Sequence, residues 1–310
     1  MRRVSIVVVG SLNADLTIRA RRLPTPGETV RGDRFTVSAG GKGANQAAAA
    51  ALLGANVDLI GAIGSDAHGE MLTEVLQLVG VRTGHIIVRH DHPSGVALIA
   101  VDANGENQIV VHPGANAALA SDDVVGVLTR TAPAVVGISL EVDVEVAAAT
   151  ARAAAESGAT VVVNLSPFAT PPEDLLGDQT VLVVNEREAS QLIGTDISAL
   201  PDGKVPPALR AAGAGRVVIT RGSVGALVVE NGLLTVVAAI PVNAVDTTGC
   251  GDAFFGALLW RLDAGDSLAD ATATANLVGA YAAEGHGTIG SYPTATELGR
   301  LNDRWAVPAH

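Results

Sequence analysis

The stretch Ala244-Val-Asp-Thr-Thr-Gly-Cys-Gly-Asp252, running straight into Ala253-Phe-Phe-Gly-Ala-Leu-Leu-Trp260, decides how this chain is read. It predicts a glycine-bearing loop that ends inside the first turn of a helix over 251–262. Backbone N–H groups at such a helix start form a site for an anion, and the helix dipole adds to the attraction. Asp252 would stand among those N–H groups, where a carboxylate is expected to handle a proton or a metal. An anion hole beside a carboxylate points to phosphoryl transfer onto a hydroxyl. Taken alone, the nine residues are equally well explained as a turn at Gly249 and Gly251 with Asp252 as a helix cap.

A second glycine motif, Ser38-Ala-Gly-Gly-Lys-Gly-Ala-Asn-Gln46, breaks the tie. Gly40, Gly41 and Gly43 let backbone come close to a ligand. Lys42 and Asn45 would point at it from a helix start, and a mere hinge calls for neither. The motif is not the phosphate loop of common ATPases, which requires Gly-Lys followed by Ser or Thr. It also fails the dinucleotide fingerprint, because Gln46 stands where a third Gly belongs.

Outward from these motifs the chain reads as α/β. Strands are expected over 4–9, 57–62, 134–139, 160–164, 181–184 and 217–220. Helices are expected over 43–53, 66–79, 144–157, 186–193, 206–212, 251–262 and 267–284. The alternation predicts a mostly parallel sheet with helices on both faces. Residues 225–230 and 233–238 form a late antiparallel hairpin. Residues 96–102 and 107–111, joined at Asn104-Gly105, form another. That hairpin pairs with the polar, alternating segment 16–39 as a small β-lid. The core then comprises residues 1–15, 40–93 and 113–310, and the lid 16–39 and 94–112. A second subunit could cover the lid's exposed face.

Several further groups fall just past strand ends, where open α/β sheets bind ligands. Asn13 and Asp15 follow the first strand, and their amide and carboxylate suit a polyol, whose hydroxyls both donate and accept. A turn is the alternative. Glu141 lies past another strand. Asn185-Glu-Arg-Glu188 opens a helix, and a capping box is a sufficient account of it. Thr220-Arg-Gly-Ser-Val-Gly225 is either a phosphate contact or a simple turn. Gly285-His-Gly-Thr-Ile-Gly290 has the letters of a dinucleotide motif but follows a helix, so it is rejected. His90-Asp-His92 has metal-like spacing but lies in a polar turn with no third ligand in view.

Composition bounds the function. The chain has 310 residues, 48% hydrophobic, 17% charged and only 3% aromatic, which suits buried parallel strands under small-residue helices. Its net charge of −12 argues against nucleic acid. No apolar run approaches the length that spans a bilayer. The start, Met1-Arg-Arg-Val-Ser-Ile-Val-Val-Val-Gly10, reads as a buried strand rather than a signal peptide. The one cysteine, Cys250, allows no intramolecular disulfide and fits a reducing cytoplasm.

Together these motifs resemble the ribokinase branch of the PfkB carbohydrate kinases, from about Val4 to Pro293 and in the family's order. The specific pieces are Gly10–Asp15, Pro24-Thr-Pro-Gly-Glu-Thr-Val30, Gly40–Gln46, Gly114-Ala-Asn-Ala-Ala118, Asn185–Glu188 and Asp246–Asp252. The resemblance implies a ribokinase-like fold and ATP-dependent phosphorylation of a sugar, with D-ribose first among candidates. It implies that Asn13, Asp15, Gly41, Lys42, Asn45 and Glu141 bind sugar hydroxyls and that Asp252 is the base. Gly249, Cys250 and Gly251 would supply the N–H groups that hold charge on the transferred group. Asn185 and Glu188 would organise Mg²⁺ and the ATP phosphates, largely through water. Thr220, Arg221 and Gly222 would line the nucleotide, with Asn276 near the adenine. Asp246, Thr248, Ala282, Gly285, Gly287 and Ser291 match the family's potassium loop, with Asp246 and Ser291 giving side-chain oxygens and the rest carbonyls. The lid would close on the sugar and build a homodimer. Cys250 replaces the commoner alanine, and a thiol at a helix start is expected to have a lowered pKa and to be reactive. Other readings are a kinase of another sugar or a nucleoside, and a sugar sensor without turnover.

Overall fold

The computed structural model describes residues 5–304. The first strand, β1 (Ile6–Val9), leads to β2 (Asn13–Ala20), β3 (Gly32–Gly40) and helix α1 (Lys42–Leu52). Then come β4 (Val57–Gly64), α2 (Ala67–Leu78), β5 (Arg82–Arg89), β6 (Gly95–Val101) and β7 (Asn107–His112). Next are α3 (Ser121–Thr131), β8 (Val135–Ser139), α4 (Val144–Glu156), β9 (Thr160–Asn164), β10 (Gly177–Asn185) and α5 (Glu186–Ile193). The last third holds α6 (Val205–Ala211), β11 (Ala214–Thr220), β12 (Gly225–Glu230), β13 (Leu233–Ala238), α7 (Cys250–Asp263), α8 (Leu268–Ala283) and α9 (Ala295–Arg304).

Among the described residues, nine strands form one sheet in the order β13-β12-β11-β10-β9-β8-β1-β4-β5. From β11 through β5 every neighbour is parallel, and the β11–β12 and β12–β13 pairs are antiparallel. The reason is in β1, which reads Ile-Val-Val-Val and is wholly buried. A β-branched run with no polar face needs cover on both sides. Ile6 and Val8 pack with α1, α2, α7 and α8, while Val7 and Val9 pack with α3, α4, α5 and α6. Parallel order brings the carboxyl ends of β1, β8, β9, β10 and β11 to one edge of the sheet, which is where the candidate residues collect.

The second, smaller sheet is β3-β2-β6-β7, and it takes in Asn13–Asp15 and Gly40, which the expected boundaries left in the core. β2 pairs antiparallel with β3 and parallel with β6, and β6 antiparallel with β7. Three elements depart from expectation, the first being α3, which lies where no helix is expected. β5, reading Arg-Thr-Gly-His-Ile-Ile-Val-Arg, is a partly buried edge strand whose polar ends and glycine hide it. The chain does not end in two helices, because α9 follows α8. Its start is a Thr294-x-x-Glu297 box: Glu297 Oε2 accepts from Thr294 N and Oγ1, and Thr294 Oγ1 from Glu297 N. That signature was there to be read. Val4, the first residue of the expected first strand, lies outside the described residues.

Candidate functional site

Asp252 lies in the first turn of α7 and is buried. Gly249 precedes the helix with φ 73°, a left-handed conformation that favours glycine, and no side chain caps the helix start. Tyr292 Oη donates to Gly249 O at 3.1 Å and fixes that turn from behind. The carboxylate is met from α1. Asn45 Nδ2 donates to Asp252 Oδ2 at 3.0 Å and Gln46 Nε2 to Oδ1 at 3.0 Å. Burial raises the pKa of Asp252, with Glu141 adding, while Lys42 and the two amides act the other way.

The sugar-type residues converge on the same place. Gly41, with φ 88°, turns the chain from β3 into α1, and a Cβ there would meet Ser11 O and Asn13 N at 2.8 Å. Lys42 N donates to Glu141 Oε2 at 3.1 Å, and Ser11 Oγ donates to the same oxygen. Burial pushes the Asp15 carboxyl up to about 7, and the charges of Glu141 and Asp252 add to the shift. Asp15, Lys42, Asn45, Glu141 and Asp252 thus bond or influence one another, and the Gly41 turn packs against the backbone of Asn13. Such an array presents both donors and acceptors to hydroxyls.

The other expected groups line the same sheet edge. Asn185 and Glu188 form a full capping box, with Asn185 Oδ1 accepting from Glu188 N and Glu188 Oε2 from Asn185 N, both at 2.9 Å. Thr220 Oγ1 donates to Val184 O at 3.4 Å. Arg221 Nε donates to Glu186 Oε1 at 3.0 Å, which turns the guanidinium toward α5. Gly222 opens a short 3-10 turn, and Asn276 Nδ2 donates to Ala238 O at 3.1 Å. Of the three expected anion-hole donors, Cys250 N already donates to Thr247 O at 3.3 Å. Gly251 faces open space.

Asp246 ties two loops together. Its Oδ1 accepts from Thr248 N at 2.9 Å and its Oδ2 from Gly287 N at 3.0 Å. Burial would raise its pKa, but these hydrogen bonds and the nearby His286 outweigh it and hold the carboxyl below its usual value. Ser291 Oγ donates to Thr288 O at 2.8 Å and to Gly287 O at 3.2 Å. Gly285 N bonds to Ala282 O. The rejected glycine motif at 285–290 is part of this loop. Among the described residues no group of three or more His, Cys, Asp or Glu could hold a metal. Among the described residues His92 pairs with its neighbour Asp91.

The model of the pfkB family carbohydrate kinases matches residues 3–295. The chain belongs to this family. It is therefore a carbohydrate kinase, a phosphotransferase. Ribokinase from Staphylococcus aureus (strain COL) is 32% identical over 302 residues, covering 96% of this chain and 99% of that protein. Deoxyribokinase from Salmonella typhi is 31% identical over 303 residues, covering 95% of this chain and 97% of that protein. The solved structure of Arabidopsis thaliana ribokinase complexed with ribose and ATP matches with a TM-score of 0.87 at 29% identity, covering 96% of this chain and 98% of that one.

Three residues of this kinase escaped the sequence reading. Gln46 was seen only as a glycine that was missing, yet it holds Asp252. Tyr292 sits behind Gly249. Asn116, from the Gly114–Ala118 motif, is buried. Its Oδ1 accepts from Leu12 N at 2.9 Å, and its Nδ2 donates to Leu12 O at 3.0 Å and to Asn13 Oδ1 at 2.9 Å. It therefore fixes the orientation of the Asn13 amide, whose Oδ1 it holds. The expectation for Cys250 is overturned. Burial raises its pKa to about 11, and the carboxylates of Asp246 and Asp252 add to it, with a backbone hydrogen bond acting the other way.

Two predictions follow from these charges. At pH 8, alkylation of Cys250 will be at least roughly tenfold slower than that of a free thiol, because so little is thiolate. Cys250→Ala will keep parental activity, and rapid stoichiometric labelling would contradict this. Asp15 holds its proton in the fold at pH values where the unfolded chain has lost it. Ligand-free stability therefore falls as pH rises from about 4 through about 7. Asp15→Asn should melt a few °C above the parent at pH 8, with the gap closing toward pH 4; equal melting curves across that range would refute the charge conflict.

Proposed function

We propose that this kinase transfers the γ-phosphoryl group of ATP to the primary hydroxyl of D-ribose, giving D-ribose 5-phosphate. The observation that carries the reading is Asp252, a buried carboxylate of raised proton affinity at an uncapped helix start. As base it takes the hydroxyl proton while the alkoxide oxygen bonds to phosphorus and the bond to ADP breaks. The N–H groups of Gly249 and Gly251 face the charge on the transferred group, with Cys250 joining them on release from Thr247. Asn13, Asp15, Gly41, Lys42, Asn45 and Glu141 orient the sugar. The names of the relatives, and the ribose and ATP of the Arabidopsis structure, support this choice of substrates.

The nucleotide would lie along Asn185, Glu188, Thr220, Arg221, Gly222 and Asn276, at the carboxyl ends of β10 and β11. Glu188 is buried and its cap uses Oε2, so its charge fits a Mg²⁺ held mainly by phosphates and water. Mg²⁺ would neutralise the phosphates. The hard-oxygen set of Asp246, Thr248, Ala282, Gly285, Gly287 and Ser291 fits K⁺, and the bonds of Asp246 to both loops support it. K⁺ would stiffen the loop that leads into α7. A reducing cytoplasm fits an ATP-using enzyme with one thiol, and no helix among the described residues is long and apolar enough to cross a membrane.

The lid supports a homodimer. Ile18, Phe35, Val37, Leu98 and Val110 are 45–66% exposed, and the strand register puts them on the face opposite Asp15. An apolar sheet face of this extent calls for a partner, and a second copy supplies a matching one.

Sugar-dependent ADP release with Mg·ATP, over a panel of pentoses, hexoses and nucleosides with K⁺ or Na⁺, tests the substrate and the ion. D-ribose turnover that rises with K⁺ is expected; 2-deoxyribose as the better substrate would move the assignment to the deoxyribokinase side. Asp252→Asn should lose at least about a thousandfold in kcat while binding sugar, and a parental kcat would remove Asp252 from the mechanism. For the dimer, Leu98→Asp should sediment as a monomer where the parent sediments as a dimer, and a dimeric variant would exclude the lid as the interface.

A further inference from the structure

We infer that Gln46 is a positioning residue for the base: its amide fixes the carboxylate of Asp252 so that Oδ2 is presented to the sugar hydroxyl. The inference rests on the reading of Asp252 as base. Gln46 is fully buried, so it does not line the open sugar space. Its Nε2 donates to Asp252 Oδ1 at 3.0 Å. Its own Oε1 is buried with no hydrogen-bond partner. An orphaned buried carbonyl costs stability, and an apolar side chain of the same length would fill the space without that cost. What the apolar residue could not do is donate.

The donation matters because the terminal torsion of an aspartate is broad and roughly two-fold. One hydrogen bond leaves the carboxylate free to swing. Asn45 and Gln46, adjacent on α1, hold one oxygen each. Asn45 also faces the sugar residues, and its Oδ1 is likewise unpartnered, so its bond to Oδ2 is the one that yields when a hydroxyl arrives. The Gln46 bond is then the one that keeps the base aimed.

Gln46 also sets the proton affinity of the base against several neighbours. Facing Asp252 are Lys42 of α1, Glu141 beyond β8, Asp15 of β2, Cys250 of α7 itself and Tyr292 beyond the potassium-type loop. Burial, Glu141 and Asp15 disfavour the anion, while Lys42 and the two amides favour it. Removing one amide leaves the disfavouring side in place.

The test is the pH dependence of D-ribose phosphorylation in the parent, Gln46→Met, Gln46→Glu and an Asp252→Asn control, with sugar binding followed by calorimetry. Gln46→Met should keep the sugar KM within about twofold, lose about tenfold in kcat, and move the acid limb of kcat about one pH unit toward alkaline. Gln46→Glu places a second carboxyl on Oδ1. It can donate only while protonated, so a new alkaline limb should turn the plateau into a bell. A parental kcat and acid limb in Gln46→Met, or a raised KM with an unmoved limb, overturns the inference. If Gln46→Met does not fold, Gln46→Glu decides: a bell supports the inference and a parental profile overturns it. Turnover in Asp252→Asn overturns the base assignment and this inference together. A dead Asp252→Asn beside a parental Gln46→Met overturns this inference alone.

Discussion

Everything in the site depends on keeping one carboxylate buried at the start of α7. Burying a charge is costly unless it is paired or hydrogen-bonded. Here both oxygens are met by amides from the first turns of α1. The two bonds join residues 207 and 206 positions apart and so tie the start of α1 to the start of α7. The glycines that begin each helix follow from it. Gly41 turns the chain from the lid into α1, and Gly249 turns it into α7, so that the two helix starts meet.

The same crowding explains the electrostatics. Burial raises the proton affinity of Asp15 and Asp252, and the charge of Glu141 adds to both shifts. A site tuned only for stability would not place three acids around one space. The amides of Asn45 and Gln46 and the charge of Lys42 act the other way on Asp252. Cys250 shows the limit of a local rule. A helix start favours a thiolate, while burial and two acids act the other way on Cys250 and raise its pKa.

Much of the fold was legible, for physical reasons. Wholly buried parallel strands such as Ile6–Val9 carry no polar alternation, and the switch between such runs and helical spacing marks each βα step. Residues just past those strands, such as Asn13 and Glu141, inherit a functional reading from position alone. β5 was not legible, because an edge strand carries polar residues that blur its pattern. Asn116 and Gln46 were not legible either. Each acts through a partner at least 103 positions away, and a side chain that serves another side chain leaves no spacing to read. Asn116 was visible only as part of a family motif, and its meaning came from its three bonds to Leu12 and Asn13.

The lid links these levels through the period of a strand. Along β2, Asp15 lies toward Glu141 and Asp252 while Leu16 and Ile18 fall on the opposite face, because successive side chains alternate. The outer face is a continuous apolar surface built from β2, β3, β6 and β7. β3 runs on through Gly40 and Gly41 directly into α1, the helix that holds Asp252. A partner seated on the outer face would therefore stiffen the strand that carries Asp15 and the connection that delivers Asn45 and Gln46. The apolar surface and the polar site are two faces of one sheet, and neither can be altered in register without moving the other.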